Sequence, residues 1–120
     1  MTRVYLPATV HLLAKLDRTG SLSLGDDVVL APDDSEEEEY DALMTAAEKS
    51  AVLVAELDPG DRRRVVIVAE VSAPAESLTL ADVVAVHADA DDLPPGALPD
   101  ELDELGWYAT QEIPDLLNRN

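Results

Sequence analysis

The chain contains no cysteine and no phenylalanine. Without cysteine there is no disulfide and no thiolate metal site, and a chain without thiols suits a reducing compartment. Trp107, Tyr5, Tyr40 and Tyr108 are the whole aromatic set, so alanine, valine and leucine must fill the core. No run approaches the roughly 18 apolar residues that span a bilayer as a helix. Met1 to Leu6 runs straight into a strand-like pattern, without the basic start and apolar centre of a signal peptide. The expected location is cytoplasmic. Basic residues are scarce: 8 Lys and Arg stand against 26 Asp and Glu, for a net charge of −18. Such a field repels phosphate backbones and anionic lipids, so neither nucleic acid nor a membrane is an expected partner.

A length of 120 residues with 47% hydrophobic content suits one domain, residues 1–120, with one sizeable core. Arginine outnumbers lysine, a balance that points to a GC-rich genome. Arg3-Val4-Tyr5-Leu6 reads as a strand, ended by Pro7. Thr9 is a good N-cap, Val10, Leu13, Ala14 and Leu16 recur at helical spacing, and Gly20 is a stop. Ser21 to Asp27 reads as a loop and Val28 to Ala31 as a short strand. Ser35 and Glu38 form a capping-box pattern, with Glu36 to Glu39 at the positive end of the helix dipole. Tyr40, Leu43, Met44, Ala47, Ala51, Val54 and Ala55 mark the apolar face of that helix.

Arg64 to Val71 is the strongest strand. Its run Val65-Val66-Ile67-Val68-Ala69 is apolar without alternation, as in a strand covered on both faces, typically a central parallel one. Ala81 to Ala88 reads as a further strand, and Val65, Ile67, Val84 and Val86 are expected to be almost fully buried. Asp100 to Leu117 reads as a last helix, kinked or ended early by Pro114. The order β-α-β-α-β-β-α predicts an α/β domain, with α+β as the alternative. A mixed sheet of about four strands carries packed helices, includes at least one parallel crossover, and has the third strand central.

The start, Met1-Thr2-Arg3-Val4-Tyr5-Leu6-Pro7-Ala8-Thr9, and the end, Leu105-Gly106-Trp107-Tyr108-Ala109-Thr110-Gln111-Glu112-Ile113, carry a resemblance. Together with the Arg-Val-Val-Ile-Val and Ala-Val-His strands, they resemble a family of short, acidic actinobacterial proteins with no assigned function. The resemblance covers nearly the whole chain. It implies a bacterial origin and a single domain, and it brings no catalytic residue.

No motif carries chemistry outright. There is no glycine-rich phosphate loop and no Gly-x-Ser-x-Gly elbow, so no catalytic residue, cofactor or metal is expected. His87, Asp89, Asp91 and Asp92 could converge on a cation at a strand end, but a solvated acidic strand end is the plainer reading. The run from Asp33 to Glu39 is explained by helix capping alone. Thr9 and His11 sit where an α/β crevice would form, yet a capping threonine and a surface histidine suffice. Arg62-Arg63-Arg64 most simply pairs with Asp58 and Asp61. Trp107 and Tyr108 are adjacent, about 100° apart on a helix, so one can pack while the other faces outward. With Glu112 they form the candidate interaction surface, although core packing is the commoner use of such a pair.

The leading expectation is therefore a non-enzymatic protein-interaction or accessory module, self-associating or bound to a protein partner. The alternatives are an acidic inhibitor or nucleic-acid mimic that occupies a basic protein site, and a small enzyme using His11 or His87 with carboxylates. The excess of carboxylates should make the folded chain repel itself at neutral pH. Raising NaCl from a few millimolar to about 0.3 M should thus raise the melting temperature through screening. A melting temperature indifferent to salt over that range would show that the acids are already compensated.

Overall fold

A computed structural model describes residues 2–23, 28–30, 35–55, 63–71, 77–89 and 105–117. Its main sheet grows from β4 (Val65–Val71), the strand with the unbroken apolar run. β4 is central, in the order β3-β1-β4-β6-β7, where β1 is Thr2–Ala8, β3 Val29–Leu30, β6 Val83–Ala88 and β7 Gly106–Tyr108. Every neighbouring pair is antiparallel. β4 is therefore apolar on both faces because both faces are covered, and not because its neighbours are parallel. The expected parallel crossover survives in split form. β3 and β4 are each antiparallel to β1, so they run the same way, joined through α2 (Glu36–Ala55) with β1 between them. The domain is a layered mixture of helices and sheet, with a largely antiparallel sheet rather than a mixed one.

The two faces of the sheet carry two cores. On one face Val4, Leu6, Ala8, Val65, Ile67, Ala69, Val86 and Ala88 meet Leu13 and Leu16 of α1 (Val10–Thr19) and Ile113 and Leu116 of α3 (Ile113–Leu117). A two-stranded sheet of β2 (Ser21–Ser23) and β5 (Ser77–Thr79) adds the paired leucines Leu22 and Leu78. On the other face Tyr5, Val66, Val68 and Ala85 meet Ala42, Ala46 and Ala47 of α2. Here the buried line is Ala42, Ala46, Ser50 and Val54, while Tyr40 is exposed. Of the apolar stripe read from the sequence, Ala47 and Val54 are buried and Leu43 packs on this core, whereas Tyr40 faces outward and the contact extends to Ala42, Ala46 and Ser50, which the stripe left out. Small side chains let the helix backbone approach the sheet, and a hydrophobicity pattern undervalues them.

Local chemistry explains the helix ends. Thr9 accepts a hydrogen bond from Leu12 N at 3.2 Å, and Gly20 takes the left-handed conformation, φ 87°, donating to Leu16 O. Ser35 Oγ accepts from Glu38 N at 3.2 Å. Pro7 does not end β1, which runs to Ala8. β3 reaches only Val4 and Tyr5 in register, so among the described residues Pro7 has a strand partner on one side only, a position that tolerates the missing N–H.

The entry to β4 gathers bonds from several elements. Arg63 Nη2 donates to Leu116 O at 3.0 Å, reaching α3. Arg64 forms a two-pronged pair with Asp89 at the end of β6, Nε to Oδ2 at 2.9 Å and Nη2 to Oδ1 at 2.7 Å. Its backbone N–H donates to the same carboxylate, and Asp89 N donates back to Arg64 O. Val65 N donates to Ser50 Oγ at 2.9 Å, and that hydroxyl donates to Ala8 O at 2.7 Å, tying α2 across the last β1–β4 pair. Arg64 pairs with Asp89, a partner the sequence reading did not name; the pairing expected with Asp58 and Asp61 falls, like Arg62, outside the described residues.

Two further readings change. Residues 100–117 are not one helix: Gly106–Tyr108 is a strand, followed by a 3-10 turn at Thr110–Glu112 and α3, with Pro114 inside the first turn of α3. Val84 is 40% exposed rather than buried. The β4–β6 register shifts between Val68 and Ala69, whose partners are Ala85 and Val83, and Val84 is the extra bulged residue. Val65, Ile67 and Val86 are fully buried as expected. Among the described residues no helix is long and apolar enough to cross a membrane.

Replacing Ile67 by alanine should cost about 2–5 kcal/mol through the cavity left at the centre of the sheet. Asp89→Ala should cost about 3–5 kcal/mol, because it leaves a buried guanidinium without its carboxylate. Urea denaturation followed by circular dichroism measures both. A loss under about 1 kcal/mol for Ile67→Ala would contradict the central placement of β4.

Candidate functional site

α2 packs on β1, β3 and β4. Beyond it, towards β6 and β7, no described helix covers the same face of the sheet, and a cleft of about 440 Å³ lies there. The helix side of the cleft is Glu36, Glu39, Tyr40 and Leu43, which recur at the three- and four-residue spacing of one helix face. The sheet side runs from Arg3 and Tyr5 through Val68 to Val84, Ala85, His87 and Trp107.

Register explains this gathering. His87 pairs with Trp107 across β6 and β7, so the two side chains stand on one face. The bulge at Val84 brings a second consecutive apolar residue of β6 to the same cleft, beside Ala85. Tyr108 pairs with Val86 and packs on the opposite core. Adjacent residues of a strand point to opposite faces, so the aromatic pair is split by about 180° rather than by a helical 100°. Trp107 is 61% exposed and Tyr40 is 53% exposed.

The charges of the cleft are largely acidic. Arg3 is held by Glu39 Oε1 at 2.6 Å and by Glu70 Oε1 at 3.0 Å. The hydrogen bond that Arg3 donates to Glu70, with the nearby Glu39 carboxylate, raises the pKa of Arg3. Burial pushes the Tyr5 phenol up, chiefly by desolvation, so it stays neutral. Burial also lowers the pKa of His87 below its ordinary 6.5, favouring the uncharged ring. Glu36 lines the cleft and makes no hydrogen bond or ion pair among the described residues.

The other candidate residues are distributed elsewhere. Asp89 is consumed by Arg64, while Asp91 and Asp92 lie outside the described residues. Among the described residues no group of three His, Asp or Glu is placed to hold a metal ion. Asp33 and Asp34 also lie outside them, and Glu36 to Glu39 form the first turn of α2. Thr9 caps α1 and His11 is exposed on it. α1 packs on the face opposite the cleft, so the sheet separates His11 from His87. Glu112 is turned inward locally, accepting from Ala109 N at 3.2 Å within the 3-10 turn. Trp107, Tyr108 and Glu112 therefore do not form one surface. Sequence reasoning missed Arg3, Glu36, Tyr40 and Val84 as cleft residues: Tyr40 reads as part of the apolar face of its helix, and nothing local marks the other three.

The Family of unknown function (DUF6912) matches residues 2–117, and the chain belongs to it. No match is found among curated proteins or among solved structures.

A histidine whose folded pKa lies below its unfolded value binds fewer protons folded than unfolded, so it opposes folding once the solution is acidic enough to protonate the unfolded ring. The contribution of His87 is fully present above pH 6.5 and is lost as pH falls through that value towards the lowered folded pKa. The stability of His87→Gln should fall less than that of the wild type between about pH 7 and pH 5.5. Parallel pH profiles of the two would contradict the burial of the ring.

Proposed function

We propose that this member of a family of unknown function is a non-enzymatic protein-interaction module, and that its cleft receives a basic segment of a partner protein. One observation carries the reading: the only tryptophan of an aromatic-poor chain stands 61% exposed in a cleft, paired across strands with His87. An exposed tryptophan beside an exposed tyrosine and an exposed valine is the composition of an interface centre. Tyr40 and Val84 supply the other two. A basic partner follows from charge: Glu36 and Glu39 rim the cleft, and the chain carries −18. Such a field speeds the encounter with a cation-rich segment and turns acidic competitors away.

Catalysis has less support. The His87 ring has no hydrogen-bond partner among the described residues, and the described lining of the cleft has no serine beside it. A general base without a nucleophile or an orienting partner lacks the elements of a catalytic site. Mimicry of nucleic acid would need acids in a regular array, whereas the described cleft interleaves two carboxylates with Arg3 and apolar walls.

Substitution of the aromatic pair separates packing from binding. Tyr108→Ala should lower stability by about 1–3 kcal/mol, since its ring packs on the core. Trp107→Ala should stay within about 0.5 kcal/mol of the wild type, as exposed positions do. Anisotropy of labelled peptides of about a dozen residues, rich in lysine and arginine, measures binding. Wild type should bind them in preference to acidic peptides, and Trp107→Ala should lose at least about tenfold in affinity. Equal binding of basic and acidic peptides, or binding untouched by Trp107→Ala, would sink the proposal. So would a wild-type dimer that buries Trp107 in itself.

A further inference from the structure

We propose that the group taken into the cleft is the guanidinium of a partner's arginine, stacked on Trp107 and charge-paired with Glu36. This rests on the interaction-module reading and specifies its ligand. The molecule already holds one guanidinium on the same wall: Arg3 bridges Glu39 and Glu70. Because two carboxylates neutralise Arg3, it leaves no net positive charge to recruit an anion. Glu36 begins the same helical stripe, one turn before the exposed ring of Tyr40, and makes no hydrogen bond or ion pair among the described residues. Across the cleft, the indole of Trp107 is open to solvent and His87 beside it adds no charge while its ring is neutral.

A free carboxylate faced by an electron-rich indole is a receptor for a cation. Arginine suits it better than lysine. The guanidinium is planar, so it stacks on an indole face while its edge donates to a carboxylate, and it is more weakly hydrated than an ammonium. The cleft volume of about 440 Å³ accommodates the whole side chain, whose methylenes then lie along Val84 and Leu43.

Trp107 is the only tryptophan, so its fluorescence reports the cleft directly. The full chain is titrated with a short blocked peptide carrying one arginine, and with the same peptide carrying lysine or citrulline, the neutral isostere of arginine. The arginine peptide should give a saturable change. Lysine should bind at least about threefold more weakly and citrulline at least about tenfold more weakly. Glu36→Gln should weaken arginine binding about three- to tenfold. Glu48→Gln removes an exposed charge farther along α2 and should leave it within about twofold. Citrulline binding as well as arginine would overturn the assignment, as would equal weakening by Glu36→Gln and Glu48→Gln. If long basic peptides bind through Trp107 but lysine and arginine serve equally, the module reading stands and the arginine assignment fails. If neither short nor long basic peptides bind, both fail.

Discussion

Three consecutive residues, Arg63, Arg64 and Val65, hold the domain together. Each bonds a different element: Arg63 the carbonyl of Leu116 in α3, Arg64 the carboxylate at the end of β6, Val65 the hydroxyl of Ser50 in α2. Both arginines are buried, and a buried charge is tolerable only when its partners are complete. Asp89 meets this demand with both oxygens engaged and accepts the Arg64 N–H as well. The pair thereby does the work of a register lock. Sliding β6 by one residue against β4 would separate the charges and turn every side chain of β6 to the wrong face.

The cleft depends on that lock. With Val65 opposite Ala88 and Ile67 opposite Val86, His87 must fall on the α2 face, and Trp107 follows it through the β6–β7 pairing. The bulge then allows Val84 to join Ala85 in the cleft without disturbing the inner core, where Val83 and Val86 remain buried. Exposure at Trp107 and Val84 is therefore a product of the same register that buries Ile67. A core residue and a binding residue are set by one alignment of two strands.

The elements most legible from sequence were those governed by local chemistry. The caps at Thr9, Gly20 and Ser35 and the apolar run of β4 each announce themselves within a few residues. The last segment reads as a helix because Gly106-Trp107-Tyr108 is too short to show the alternation of a strand. The contact face of α2 is legible only in part: Ala47 and Val54 belong to it, but Ala42, Ala46 and Ser50 are too small or too polar to stand out in a hydrophobic pattern. The exposure of Val84 depends on a bulge that exists only in relation to β4. The Arg64–Asp89 pair joins residues 25 apart, and nothing local distinguishes Asp89 from its acidic neighbours. The exposed half of the aromatic pair was anticipated in kind, although strand geometry, and not helical geometry, separates the rings.

The bonds at the entry to β4 also bear on how the chain reaches this structure. They close separations of 25, 42 and 53 residues, counting Arg64–Asp89, Ser50–Ala8 and Arg63–Leu116. None can form until most of the sheet has been assembled, since each closes a long loop whose entropy must be lost first. Such a topology belongs among the slower folders, on the order of milliseconds to seconds rather than microseconds. Until β1, β4 and β6 are aligned, the apolar strand from Val65 to Ala69 has neither face covered. The acidity of the chain then acquires a second value: in that interval, mutual repulsion between unfinished molecules keeps their bare strands from pairing with one another.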